Sequence, residues 1–304
     1  MKQPFLMAVL TFCVFSQYTF SQETVENPEK YTAHNKGKFF ISWGGNRDSY
    51  SRSDVNFRGK DYNFTVHDMV AHDKPKGWHI DYINPVNMTI PQTNFRFGYF
   101  FSDHYSVSIG WDHMKYVMSQ YQIANVSGYI NLPSDAPGNI YNGNYNNTPV
   151  DMSQGGAQEG GYENGVTPVG GPAFLMYEHT DGLNYVNTEV SRHDDISKLF
   201  GLPNTDKVQI NLTGGLGVGI LYPKTNATLL GKERHDDFHV SGYGFSAKAG
   251  INFTFFKYFY VQGELKTGYI DMKNIRTTVS NEDKASQHFT FVQRIIAVGG
   301  IFKI

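Results

Sequence analysis

The stretch from Val208 to Leu221, VQINLTGGLGVGIL, constrains the fold more than any other part of the chain. Apart from Gly214, its even-numbered positions are all Val, Ile or Leu, while its odd-numbered positions are polar or glycine up to Leu221. The stretch that keeps this period of two is longer than a strand of an ordinary soluble sheet, which typically has about 5–6 residues. A tilted strand needs about 9–11 residues to cross a membrane. The stretch therefore favours a strand of a transmembrane β-barrel.

Similar alternation recurs along the chain, and tight turns near 102–104, 201–206 and 256–258 join neighbouring segments as hairpins. We predict an all-β fold, an antiparallel up-and-down transmembrane barrel of eight strands. Short turns of such barrels face the periplasm and long loops face outward, so residues 47–91, 119–171, 223–236 and 274–285 are expected to be extracellular. The eight predicted strands cover residues 38–46, 94–101, 105–118, 173–192, 208–221, 238–256, 258–272 and 287–304.

A ten-stranded barrel is the alternative. It requires a spanning strand at Asp54 to Phe64 and a division of residues 173–192 into two strands. The composition of the 119–171 segment, which has no Lys or Arg and is rich in Gly, Asn, Tyr and Pro, predicts a long, weakly ordered loop.

The composition excludes several classes of protein. Hydrophobic residues make up 40 % of the chain, charged residues 18 % and aromatic residues 15 %. Beyond the N-terminus no window approaches the roughly 18 consecutive apolar residues of a membrane-spanning helix. The net charge of −2 argues against nucleic acid as a partner.

The N-terminal residues have the pattern of a secretory signal. Lys2 precedes a largely apolar run, and polar residues follow Ser21 and Gln22. We predict a cleaved signal peptide at 1–22, a polar leader at 23–36 and a barrel domain at 37–304. The sole cysteine, Cys13, lies in the apolar run, and the bulky Phe12 before it disfavours lipidation.

Assigning the polar face of each strand to the lumen places six charged side chains inside the barrel. Three are positive and three are negative, and an eight-stranded barrel is just wide enough for side chains to fill it. We therefore expect these charges to pair and close the lumen; a proton or substrate path is the alternative. Glycines at 215, 217 and 219 would make room for the long side chains opposite. The six residues are Arg96, Asp112, Glu189, Lys248, Glu264 and Lys266.

The signal sequence, alternating strands, short turns, long polar loops and C-terminal strand together resemble the small outer-membrane β-barrels of the OmpA/OmpX-like, porin-type superfamily. The Ser-Gln pair at the end of the signal sequence and the Asn/Tyr/Gly-rich loops are similar to those of the Bacteroidetes members of this superfamily. The resemblance implies an outer-membrane location, with outer-membrane lipid, lipopolysaccharide and the barrel-assembly machinery as partners. Many such barrels end in an aromatic residue; here the last residue is Ile304, and Phe302 on the same face would take that part.

Some barrels of this kind are enzymes that modify lipid A, and their catalytic residues are a His and a Ser, or a His-Asp-Ser set. Here alternation within Glu178-His179-Thr180-Asp181 puts His179 and Asp181 on one face. Acyl chemistry also needs a hydroxyl nucleophile within reach, and no Ser is adjacent. His179 and Asp181 are therefore weak catalytic candidates, consistent with a lipid A or phospholipid acyl hydrolase.

Other histidines stand beside aspartates, as in His67-Asp68 and His72-Asp73, but their spacings match no metal motif. We predict no metal or other cofactor. The function favoured by the sequence is a structural or surface-binding barrel whose loops at 47–91 and 119–171 contact an extracellular ligand. A narrow transport channel is a further alternative.

Overall fold

The computed structural model describes residues 35–77, 79, 91–153, 172–202 and 205–304. The predicted signal peptide and nearly all of the leader lie outside these residues. Within them, no helix is long and apolar enough to cross a membrane. The strands are β1 Phe39–Tyr50, β2 Ser53–Arg58, β3 Tyr62–Met69, β4 Ala71–His72, β5 Thr93–Phe100, β6 Tyr105–Met118, β7 Ile123–Ile130, β8 Gly143–Asp151, β9 Leu175–Asp195, β10 Val208–Leu221, β11 Asn226–Leu229, β12 Gly242–Phe255, β13 Phe259–Arg276 and β14 Lys284–Phe302.

Eight of these strands close a ring in the order β1-β5-β6-β9-β10-β12-β13-β14, and β14 pairs back with β1. Every pairing is antiparallel. The predicted eight-stranded barrel is confirmed. The ten-stranded alternative is wrong, because β9 is a single unbroken strand of 21 residues.

Side chains alternate between the two faces of the wall as the sequence predicts. On β10, Leu216 and Val218 point outward with exposures of 70 % and 52 %. Gln209, Asn211 and Thr213 point inward and are buried. Exposed apolar side chains of this kind surround the barrel and form a belt. An apolar outer belt and a polar interior are the arrangement that a bilayer requires of a closed barrel.

Above the belt, the described parts of the long connections form strands that extend the sheet. β2 continues the path of β1 along β14, and the N–H of Ser51 donates to the carbonyl of Thr290 at 2.9 Å where β1 gives way to β2. β3 then pairs with β2, β7 with β3, and β8 with β7. β4 and β11 add to the upper ends of β6 and β9. We call this part, with the upper ends of β6, β9, β13 and β14, the extension.

The prediction of a weakly ordered loop at 119–171 is wrong for its described part, residues 119–153, which form β7, a 3₁₀ helix at Pro137–Tyr141 and β8. Residues 154–171 lie outside the described part. The first half of the 47–91 segment is also regular, since it forms β2 and β3 in place of the single spanning strand at Asp54 to Phe64 that the ten-stranded alternative required. The physical reason is a shared core: alternating apolar residues of β2, β3 and β7 are buried together, among them Val55, Phe57, Phe64 and Val126.

This core lies at the end of the barrel opposite the tight turns. Tyr116, Tyr177 and Phe289 from three wall strands join Phe57 and Phe64 in it, with ring centroids 5.0–6.4 Å apart within each contacting pair. Because short turns of outer-membrane-type barrels face the periplasm, the extension is extracellular. An apolar core therefore covers the extracellular end of the lumen.

Candidate functional site

The centre of the lumen holds one ion-pair network built from inward-facing side chains of five strands. Glu189 is its hub. Its Oε2 lies 2.8 Å from Nη1 of Arg96 and 2.8 Å from Nζ of Lys248, and its Oε1 lies 2.6 Å from Nζ of Lys266. A carboxylate held by three cations is stabilised in its charged form even where water is excluded.

The other two carboxylates complete the charge balance. Asp112 accepts from Lys266 and lies 3.3 Å from Nη2 of Arg96, while Glu264 lies 2.8 Å from Nζ of Lys248. The structure thus brings together all six charged residues that the sequence placed in the lumen. Three positive and three negative groups leave the network neutral, so the network itself presents no net charge to attract an ion.

Glycines on β10 leave the space that the network occupies. A Cβ atom at Gly217 would lie 2.8 Å from Cγ of Glu189, and one at Gly215 would lie 2.6 Å from Oγ of Ser191 and 3.2 Å from Cε of Lys248. The distances to Glu189 and to Ser191 are each shorter than the contacts that Cβ atoms make in real structures. The small inward face of β10 therefore admits long charged side chains from its neighbours.

A layer of amides above the network was missed by the sequence analysis. Nδ2 of Asn94 donates to Oδ1 of Asp112 at 2.7 Å, and Nδ2 of Asn46 donates to Oδ1 of Asn94 at 2.7 Å. Gln92 then donates from Nε2 to Oδ2 of Asp48 at 3.0 Å. The alternation of β1 could have identified part of this layer from the sequence, because the even-numbered residues of β1, including Asn46 and Asp48, face inward.

Below the network, a cavity of about 30 Å³ lies toward the end with the tight turns. Its lining includes Phe40, Phe100, Tyr260 and Lys38, and three charged residues of the network, Arg96, Lys248 and Glu264, form its upper end. A volume of this size has room for about two water molecules. The lumen is therefore filled from the network upward and narrow below it.

The structure does not bring the two catalytic candidates together. His179 is fully buried, its Nδ1 lies 2.9 Å from Oγ1 of Thr225, and the ring of Tyr177 packs against it at 4.9 Å. The side chain of Asp181 is 61 % exposed and pairs with Lys224 at 3.1 Å. The prediction that both side chains share a face is wrong, because regular alternation is interrupted near Gly182, whose φ is +139°.

The surroundings of His179 are those of a core residue. It lies in the extension, above the apolar belt, opposite Tyr116 in the β6–β9 ladder. Burial lowers the pKa of His179 to about 3, so the imidazole is neutral. Among the described residues, no cluster of three or more His, Cys, Asp or Glu is arranged to hold a metal ion.

Neither a family model nor a curated protein matches the chain. Several solved structures are similar in outline. Outer membrane protein OprG from Pseudomonas aeruginosa is 12 % identical, with 89 % of this chain and 98 % of that one covered and a TM-score of 0.35. The outer membrane protease OmpT from Escherichia coli is 9 % identical, with coverages of 93 % and 100 % and a TM-score of 0.36. Ail, the attachment invasion locus protein of Yersinia pestis, is 11 % identical, with coverages of 88 % and 99 % and a TM-score of 0.26.

Likenesses this distant carry no argument about activity, and the class of the protein follows from its own strand pairing and surface. The ring is closed, the outward face is apolar, the interior is polar and paired, and the turns at one end are short. The chain is an eight-stranded β-barrel of the outer-membrane type.

Proposed function

We propose that this outer-membrane barrel is closed to transport and acts at the cell surface, where the extension binds an extracellular ligand. The observation that carries the proposal is the extension itself. It has its own hydrophobic core and adds six strands to the eight of the ring, namely β2, β3, β4, β7, β8 and β11. Anchoring in the bilayer requires only the eight strands of the ring.

The filled lumen supports the first half of the proposal. Glu189 and Lys266 are 1 % and 0 % exposed at the centre of the barrel, and the extension's core lies above them. A solute would have to separate buried ion pairs and pass through packed aromatic side chains. Both steps cost several kcal/mol without any compensating contact.

The outer surface of the extension supports the second half. Tyr121 and Ile123 are 76 % and 73 % exposed, and Tyr129 farther along β7 is 43 % exposed. Ile140 of the 3₁₀ helix is 63 % exposed. Tyrosine and aliphatic side chains displayed on an ordered surface outside the membrane are typical of sites that contact a partner.

A surface-binding assay tests this function. Cells that display the wild-type barrel are applied to an array of extracellular-matrix proteins and purified polysaccharides, beside cells with empty vector. We expect binding at least threefold above the vector on one class of probe, and loss of that binding in the triple variant Tyr121→Ser, Ile123→Ser, Tyr129→Ser.

The variant Leu199→Ser is the matched control, since Leu199 is 80 % exposed at the opposite end of the barrel. Heat-dependent migration in gels verifies that each variant is folded. Wild-type cells that bind no probe above the vector, or a triple variant that binds as the wild type does, would contradict the proposal.

The geometry gives the alternatives less support. An acyl hydrolase at His179 would need a carboxylate and a nucleophile beside an accessible imidazole, whereas His179 is buried among aromatic rings. A channel would need a continuous water path, which the ion-pair network interrupts.

A further inference from the structure

Two arginines face each other on the outer wall of the barrel. Arg47 on β1 and Arg294 on β14 are directly opposite in the antiparallel register. Both occupy outward-facing positions, because Asp48 and Gln293 beside them point into the lumen and are buried. Like charges opposite each other on one sheet face repel. The charge of Arg47 also interacts with Asp73, so the arrangement favours an anion beside Arg294.

The immediate surroundings of Arg294 are apolar. Its outward neighbours Ile296 and Val292 on β14 are 71 % and 40 % exposed, and Leu265, opposite it on β13, is 55 % exposed. These side chains belong to the belt that contacts lipid. A charge on the lipid-facing side of a barrel is unfavourable, and the penalty falls toward the interface. Arg294 must therefore reach polar groups near the membrane surface.

The guanidinium is directed toward the extracellular surface. Nη2 of Arg294 donates to Oγ of Ser49 at 3.4 Å, and Ser49 lies two residues beyond Arg47 in the direction of the extension. Arg294 lies eight residues above Phe302 on a strand that ends at the periplasmic side. With a tilt of about 40°, this places Arg294 about 20 Å up a belt about 25 Å tall. Long basic side chains at this depth extend toward the headgroups.

Among the described residues, Arg294 has no acidic partner. Arg47 keeps contacts within the protein, including a bond of 2.7 Å from Nη1 to the carbonyl of Asn46, and contributes a second positive charge. We propose that Arg294, with Arg47 beside it, binds a phosphate group of outer-leaflet lipopolysaccharide. A guanidinium matches a phosphate through two parallel hydrogen bonds.

The apolar neighbours decide between a lipid phosphate and a free one. Ile296 and Leu265 lie below Arg294 or beside it and would contact the acyl chains of the same molecule. A free phosphate ion has no complement for these side chains. The inference is independent of the surface role proposed above, because the site lies on the bilayer-facing wall and not on the extension.

Binding of purified lipopolysaccharide to the refolded barrel in detergent, followed by native mass spectrometry, tests the site. We expect Arg294→Gln to bind at least fivefold more weakly than wild type and Arg294→Lys to be intermediate. Arg192→Gln is the matched control and should bind as wild type does, since Arg192 lies near the periplasmic end and pairs with Asp194 at 2.7 Å.

Two further arms identify the chemistry. Lipopolysaccharide from which the phosphates have been removed should bind wild type as weakly as intact lipopolysaccharide binds Arg294→Gln. Inorganic phosphate at millimolar concentration should not displace the lipid. Equal binding by wild type and Arg294→Gln, equal binding of the dephosphorylated lipid, or displacement by inorganic phosphate would each overturn the proposal.

Discussion

Glu189 and Lys266 form a buried ion pair across the lumen, with 2.6 Å between Oε1 and Nζ. Their strands, β9 and β13, are not neighbours in the ring, since β10 and β12 stand between them. The pair therefore joins separate parts of the wall through the interior. Its side chains occupy the space through which a solute would have to pass.

Removing one charge from this network should destabilise the barrel. Lys266→Met leaves Asp112 and Glu189 each short of one cation in a buried setting, so we expect the free energy of unfolding to fall by about 3–5 kcal/mol. The free energy of unfolding is measured by urea unfolding of the barrel in lipid vesicles. Lys273→Met is the control, because its side chain is 74 % exposed, and it should change the value by less than about 0.5 kcal/mol. Equal effects of the two substitutions would contradict a tightly paired network.

The glycines of β10 give a second prediction. Gly217→Val introduces a Cβ 2.8 Å from Cγ of Glu189, so we expect a loss of about 1–3 kcal/mol from overpacking. Gly214→Ala lies on the same strand facing outward, where the nearest atom to a new Cβ is 3.7 Å away. Gly214→Ala is the control, and the midpoint of its urea unfolding should equal that of the wild type. A Gly217→Val barrel as stable as Gly214→Ala would show that the lumen has spare room.

The buried imidazole of the extension predicts a pH dependence. Burial lowers the pKa of His179 to about 3 in the folded protein, below its usual value of 6.5. The unfolded chain takes up a proton as the pH falls below about 6.5 while the folded one does not, so this residue lowers stability between pH 6.5 and pH 3. Between pH 7 and pH 4 its contribution reaches about 3 kcal/mol.

Replacing this histidine should remove that contribution. We expect His179→Gln to lose less stability than wild type when the pH is lowered from 7 to 4, as measured by thermal unfolding. The exposed His288→Gln is the control and should keep the wild-type dependence. Parallel pH profiles for His179→Gln and wild type would contradict a neutral, buried imidazole.

The orientation of the barrel can be tested with single cysteines, since the only natural cysteine is Cys13. Ser134→Cys lies in the exposed connection after β7, and Leu199→Cys lies at the end with the tight turns. A maleimide that does not cross membranes should label Ser134→Cys on intact cells. It should label Leu199→Cys only after the outer membrane is permeabilised. The reverse pattern would show that the extension faces the periplasm.

The ring could be predicted from the sequence because alternation is a local signal. The predicted bounds of β6 and β10 agree with the structure, and those of the other ring strands differ by a few residues at one or both ends. The inward positions of Arg96 and Lys266 followed from the same alternation. Which cation meets which carboxylate did not, because the contacts join strands that are far apart in the chain.

The extension could not be predicted because its pairings are distant in sequence. β2 pairs with β14 across more than 200 residues, and β7 pairs with β3. A local signal did exist in the alternation of Val55 and Phe57, followed by Tyr62 and Phe64. The polar composition of residues 119–153 concealed the partner strands, since only one face of β7 is buried.

Conductance across planar lipid bilayers tests the closed lumen most directly. The refolded wild-type barrel, inserted beside a porin that verifies the membrane, is predicted to give no discrete conductance steps at moderate voltage. Reproducible steps of one size that depend on the barrel would contradict a lumen closed by Glu189, Lys266 and their partners.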